Sequence, residues 1–177
     1  TADELERAIS LPAEGVGMSL EPGLAAALTA EVHEQPGALP MLQYALTELF
    51  DRRSDHVMTL EAYQAIGGVQ GALARRADAV YHSLTPEQQH AARQLFLRLV
   101  TLGEGAEDTR RRALQSELLS AGGETMQAVI HAFERARLLT SDHDPVTRGP
   151  TLEVAHEALL REWDLMRAWR SEERRVG

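Results

Sequence analysis

The chain has 177 residues, 44 % of them hydrophobic, which suits one ordinary domain or two small ones with a buried core. Its formal net charge of -9, with every fixed cation an arginine and no lysine, argues against a general affinity for nucleic acid or anionic membrane, because both need clustered cations. Cysteine is absent, so disulfides and thiolate metal sites are excluded.

Aromatic residues make up only 5 %, so the core rests on Leu, Ala and Val, and the scarcity of β-branched runs favours helix. Ala2 to Leu11 reads as a short helix with Leu5, Ala8 and Ile9 on one face, and Pro12 to Gly17 as a break. Glu21-Pro-Gly opens a second helix carrying Leu24, Leu28 and Val32 at helical spacing. A third begins near Pro40, whose fixed φ and missing N–H suit a first turn, and carries Leu42, Leu46 and Leu49. Asp51 to Met58 reads as a polar turn and Thr59 as the cap of a short helix ending at Ile66. After Gly67-Gly68 a longer helix places Leu73, Ala77, Val80 and Leu84 on one face.

Thr85-Pro-Glu-Gln is a strong helix start, with Thr as cap, Pro at the first position and Gln three residues on; this helix is expected to run to about Leu102. An acidic loop follows, then a short strand over 109–114, a short helix over 115–119 and an amphipathic helix from Glu124 to Arg137. A strand from Leu138 to Ser141, a turn-rich wing from Asp142 to Pro150, a returning strand over 152–155 and a final amphipathic helix complete the order of a winged-helix domain. The expected fold is mainly α: a helical lid bundle over 1–84, then a winged helix with a short β-wing over 85–170. Residues 171–177 lack a clear apolar face and read as a disordered tail. No charged head with an apolar run opens the chain, and no apolar stretch reaches membrane-span length, so a cytoplasmic protein without membrane contact is expected.

The residues that carry chemistry are few. In Thr151-Leu-Glu-Val-Ala-His-Glu-Ala-Leu-Leu-Arg-Glu-Trp163, His156 and Glu157 stand where a strand runs into a helix. Unpaired N–H groups and the positive dipole end at such a start can receive phosphate beside an imidazole; the same His also reads as a cap or a packed residue. Upstream, Gly37-Ala-Leu-Pro40 turns into a helix and exposes an apolar Pro face on which a flat ring can pack, although Gly/Pro turns are also ordinary punctuation. Asp108-Thr-Arg-Arg-Arg112 is the local cation cluster, read mainly as solvated, with one Arg pairing Glu104 or Glu107. The seven His show no metalloprotease spacing, and His143 fits a wing-tip turn. Trp163 and Trp169 read as packing residues, and no catalytic triad is evident.

Blocks at Pro36–Leu46, Thr59–Ala74, Leu95–Val100, Gly103–Arg112 and Val154–Trp163 resemble, in order and spacing, the C-terminal half of a bacterial STAND NTPase module, the type often followed by WD repeats in large signalling proteins. The resemblance implies an AAA+-like ATPase whose ADP or ATP lies between a P-loop core, a helical lid and a winged helix. By similarity to the lid turn of NB-ARC proteins, Gly37, Leu39 and Pro40 are adenine-side candidates. Ala155-His156-Glu157 stands where those proteins carry Met-His-Asp, which implies His156 on the β-phosphate of ADP, with Glu157 in place of the Asp. No Gly-x-x-x-x-Gly-Lys-Ser/Thr occurs, so the chain is expected not to be an enzyme by itself, with Mg²⁺ supplied by the ATPase core. The implied partners are that core, further copies on activation, and downstream sensor repeats. The alternatives are a DNA-binding winged helix, disfavoured by the mixed charge of 124–137, and a structural adaptor.

Overall fold

The computed structural model describes residues 1–33, 35 and 38–176. The expected mainly helical class holds, with nine helices and three small sheets among these residues. The chain forms two compact units, Thr1–Arg75 and Arg76–Gly177.

The first unit contains α1 (Ala2–Gly15), β1 (Ser19–Leu20), α2 (Leu24–Val32), α3 (Leu39–Asp51), β2 (Val57–Met58), α4 (Leu60–Ala65) and the start of α5 (Gly68–Ser83). Helix α1 continues through Pro12, where a break was expected. Its end closes instead at Ala13 and Glu14, whose carbonyls accept the N–H groups of Val16, Gly17 and Met18. Helix α2 buries Leu24, Leu28 and Val32, as their spacing requires. The unexpected element is a short parallel ribbon: Ser19 pairs with Val57 and Leu20 with Met58.

The entry to α5 depends on a carboxylate from another helix. Both oxygens of Glu31 in α2 are used: they accept the backbone N–H groups of Val69 at 2.9 Å and Gln70 at 2.8 Å, and the Tyr63 hydroxyl also donates to Glu31. This satisfies donors that a helix start leaves unpaired and puts negative charge at the positive dipole end. Burial, then the Glu31 carboxylate, raises the Tyr63 phenol well above its ordinary range. Gly67 and Gly68 have φ of 83° and 72°, and a Cβ on Gly68 would lie 2.6 Å from a Glu31 oxygen. Gly68→Ala is therefore expected to cost about 1–3 kcal/mol, from a left-handed alanine and a displaced cap. Urea denaturation measures this, and an unchanged midpoint would show that the cap tolerates displacement.

The second unit carries the remainder of α5, α6 (Pro86–Arg98), β3 (Val100–Thr101), β4 (Thr109–Arg110), β5 (Ala113–Leu114), α7 (Gln115–Arg135), β6 (Leu139–His143), β7 (Pro150–Val154), α8 (Leu159–Glu162) and α9 (Asp164–Val176). The α6 capping box forms: Thr85 Oγ1 accepts from Gln88 N and Gln88 Oε1 from Thr85 N. The helix stops at Arg98, short of Leu102, because β3 pairs antiparallel with β4. The strand expected over 109–114 is two strands in different sheets, with β5 joining a three-stranded sheet in the order β5-β7-β6. Helix α7 is broken at Gly123 (φ 57°, ψ -138°), which separates the two expected helices. At the wing tip Asp144 Oδ1 accepts the N–H groups of Val146 and Thr147, both at 2.8 Å, and these bonds hold its carboxyl below the usual range.

Two expectations about the C-terminal end are corrected. The single helix expected after β7 is two, because Trp163 adopts an extended backbone (φ -88°, ψ 113°) between α8 and α9. Its side chain is fully buried, its ring centroid lies 5.1 Å from Phe96 and 5.2 Å from Trp169, and Nε1 donates to Asp78 at 2.7 Å. Residues 171–176, read as a disordered tail, continue α9; polar anchors replace the missing apolar face, with Arg93 pairing Glu172 at 3.0 Å and Arg174 pairing Asp108.

Candidate functional site around His156

Strand β7 delivers His156. Its end is fixed by the Ala155 N–H, which donates to the Leu138 carbonyl at 2.9 Å. Leu138 itself follows a tight helix exit: Arg137 adopts a left-handed conformation (φ 62°), its N–H donates to Glu134 at 2.9 Å, and Leu138 N–H donates to Phe133 at 3.0 Å. The half-buried imidazole hydrogen-bonds the backbone of Arg137. Burial lowers the His156 pKa below 6.5, the Arg137 hydrogen bond partly opposes this, and the nearby Arg110 guanidinium lowers it further. The direction of this shift favours the neutral ring.

Arg110 was legible only as one member of an arginine run. It does not pair Glu104 or Glu107, as expected for that cluster. Its Nη1 donates to the carbonyls of Val154 at 3.2 Å and Ala155 at 3.5 Å and lies 3.9 Å from a Glu153 oxygen. The member of the acidic loop that does bind is Asp108, whose side chain is 2 % exposed: it pairs with Arg170 and Arg174 and accepts the Gly103 N–H at 2.9 Å. Nothing in local sequence separates Asp108 from its acidic neighbours.

The helix-start argument for phosphate at this junction is corrected. Helix α8 has four residues, and its early N–H groups are already used: Leu159 donates to the His156 carbonyl and Leu160 to the Glu157 carbonyl, both at 3.0 Å. The ionic and imidazole groups, rather than a free helix end, are what this junction offers. Glu157 is exposed and lines a separate cleft of about 340 Å³ with Glu107, Asp108, Arg161, Arg170 and Arg174.

The adenine-side candidates lie in the other unit, so the two groups are described separately. Leu39 (59 % exposed) and Pro40 form the exposed first turn of α3, an apolar pair beside the buried Ala38. Gly37 lies outside the described residues. The first unit also carries an apolar groove of about 290 Å³ lined by Ile9, Pro12, Val16, Leu46, Phe50 and Met58. Each unit thus offers its own chemistry: an exposed apolar pair at Leu39 and Pro40 in the first, and an imidazole near the Arg110 guanidinium in the second. Among the described residues no group of three His, Asp or Glu is arranged to hold a metal ion. No helix among them is long and apolar enough to cross a membrane.

The chain is mainly helical and forms two compact units. The family model described as Novel STAND NTPase 1 matches residues 1–176, and the chain belongs to this family of STAND-class NTPases. No curated protein and no solved structure matches it.

Proposed function

We propose that this chain is the nucleotide-sensing, regulatory segment of a bacterial STAND signalling ATPase. It closes over ADP bound on a preceding P-loop core and holds the resting state. Exchange for ATP releases it and permits oligomerisation, with sensor repeats following in the parent protein. The observation that carries this reading is His156, half-buried, tied through its ring to Arg137 and flanked by Arg110. Family membership supports nucleotide as the ligand class.

In this reading the N-terminal unit is the lid, with Gly37, Leu39 and Pro40 on the adenine side. The C-terminal unit is a winged helix, supported by the β5-β7-β6 sheet and the helix that follows Gly123. The latch is assigned to His156; Glu157 opens onto a different cleft. By itself the chain transfers no phosphoryl group, since it has no lysine to cradle the phosphates and relies on the core for Mg²⁺. The exposed face of α7 after Gly123 carries Glu124, Gln127, His131 and Arg135, a mixed set that favours a regulatory role over DNA binding.

A latch works as a two-state switch if its contact exists in one state only. A hydrogen bond to a charged phosphate is worth about 1.5–3 kcal/mol, so its loss weakens ADP binding roughly 10- to 150-fold. The test is ADP and ATP affinity of the chain extended N-terminally through its ATPase core, wild type against His156→Ala. Selective loss of ADP affinity is expected. Equal affinities in both proteins would make His156 structural and leave an adaptor role.

A further inference from the structure

We propose that the charged cleft along α9 is a binding site for a small zwitterion, an amino acid or short peptide that carries both an ammonium and a carboxylate. The cleft lies wholly in the second unit and His156 does not line it, so this assignment does not rest on the nucleotide reading.

The cleft, of about 340 Å³, is lined by Glu107, Asp108, Glu157, Arg161, Arg170 and Arg174, and its apolar contributors are only Ala106 and Leu160. Its volume falls at the lower end of small-molecule sites, which run from about 300 to 1,000 Å³. Some of its charges are committed to the fold. Asp108 is buried and accepts from Arg170, Arg174 and the Gly103 N–H, and Arg170 also donates to the Leu160 and Met166 carbonyls. These bonds tie the loop before β4 to α9 and fix one wall of the cleft. The other charges are uncommitted. The side chains of Glu107, Glu157 and Arg161 form no hydrogen bond or ion pair among the described residues, and Arg174 gives only Nη2 to Asp108. Two guanidinium groups and two carboxylates therefore line one space with unused hydrogen-bonding capacity. Three arginines against three carboxylates leave the lining without formal net charge, so it does not concentrate a simple anion or a simple cation. A ligand of both signs matches it. Its carboxylate accepts from Arg161 and Arg174, whose planar donors suit a carboxylate, and its ammonium donates to Glu107 or Glu157. The small apolar share disfavours an aromatic or acyl ligand.

The probe is diglycine, added to the whole chain at about pH 6.5, where an α-amino group is charged, and followed by the backbone amide NMR shifts of the cleft residues. Saturable shifts centred on Glu107, Glu157, Arg161 and Arg174 are expected. N-acetyl-diglycine lacks the ammonium and diglycine amide lacks the carboxylate; each is expected to bind at least about tenfold more weakly, the effect of losing one charge-assisted hydrogen bond. Arg161→Gln is expected to lower diglycine affinity by a similar factor without weakening diglycine amide. The double variant Glu107→Gln, Glu157→Gln is expected to do the same without weakening N-acetyl-diglycine. These three side chains have no partner in the fold among the described residues, so the amide spectrum away from the cleft is expected to stay that of the wild type. If a variant is disturbed, the two blocked peptides decide the matter on the wild-type protein. The assignment is overturned if tens of millimolar diglycine leaves the cleft amides unmoved, or if both variants, folded as wild type, bind diglycine as wild type does. It is equally overturned if either blocked peptide, or inorganic phosphate, binds as tightly as diglycine, since the cleft is then a site for a simple ion.

Discussion

Replacing Trp163 with alanine is expected to destabilise the Arg76–Gly177 unit by about 3–5 kcal/mol, the range for truncating a large aromatic residue in a packed core. The side chain is fully buried, and its ring touches the Phe96, Phe133 and Trp169 rings at centroid distances of 5.1, 6.1 and 5.2 Å. Edge-to-face geometry with Phe96 and Trp169 adds to the area term. The substitution also strands the Asp78 carboxylate, whose partner is the indole N–H. Because single domains are stable by only about 5–15 kcal/mol, the variant unit is expected to be close to unfolding at ambient temperature. Urea denaturation followed by far-UV circular dichroism tests this. Trp163→Phe, which keeps most of the apolar volume and loses the indole donor, separates packing from the hydrogen bond. A loss under about 1 kcal/mol for the alanine variant would mean that the cavity collapses and the cluster is not the centre of this core.

The second large effect belongs to Asp108. Its side chain is 2 % exposed and carries its charge against Arg170, which is 12 % exposed, and Arg174, which is 47 % exposed. Breaking a buried pair costs more than the pair contributes, because the remaining charge is left without compensation. Asp108→Ala leaves Arg170 with only carbonyl partners, including Leu160, and frees the Gly103 N–H. A loss of about 3 kcal/mol is expected, with solvent screening reducing the share owed to Arg174. Hydrogen exchange localises the effect: amides over 171–176 are expected to exchange far faster in the variant, since that end of α9 has polar anchors and no apolar face. Asp108→Asn, which keeps an acceptor for Gly103 and removes the charge, is expected to fall between alanine and wild type. Unchanged exchange over 171–176 would sink the anchoring account.

The helices were legible because their determinants are local. Leu24, Leu28 and Val32 recur at the helical period and all three are buried, and the Thr85 box closes as its residues dictate. The departures occur where tertiary partners decide. Leu159, Leu160, Trp163 and Met166 keep a helical spacing across the break at Trp163, so periodicity hides it. What opens the backbone there is the indole reaching Asp78, 85 positions earlier. Glu31 reads as a solvated helix residue until α5 arrives 38 positions later. The candidate site was half legible. His156 is marked by its place after an alternating strand, whereas Arg110 is indistinguishable from Arg111 and Arg112 until the Val154 carbonyl selects it. Arg137 has no marker at all, because a non-glycine left-handed residue is selected by the helix exit it closes.

The aromatic cluster also gives the protein a built-in optical reporter. Both tryptophans of the chain, Trp163 and Trp169, lie in the second unit. Intrinsic tryptophan emission therefore follows that unit alone, while the far-ultraviolet helix signal sums over both. In a denaturation series, coincident curves mean that the units melt as one cooperative block. Separated curves give the stability of each without cutting the chain.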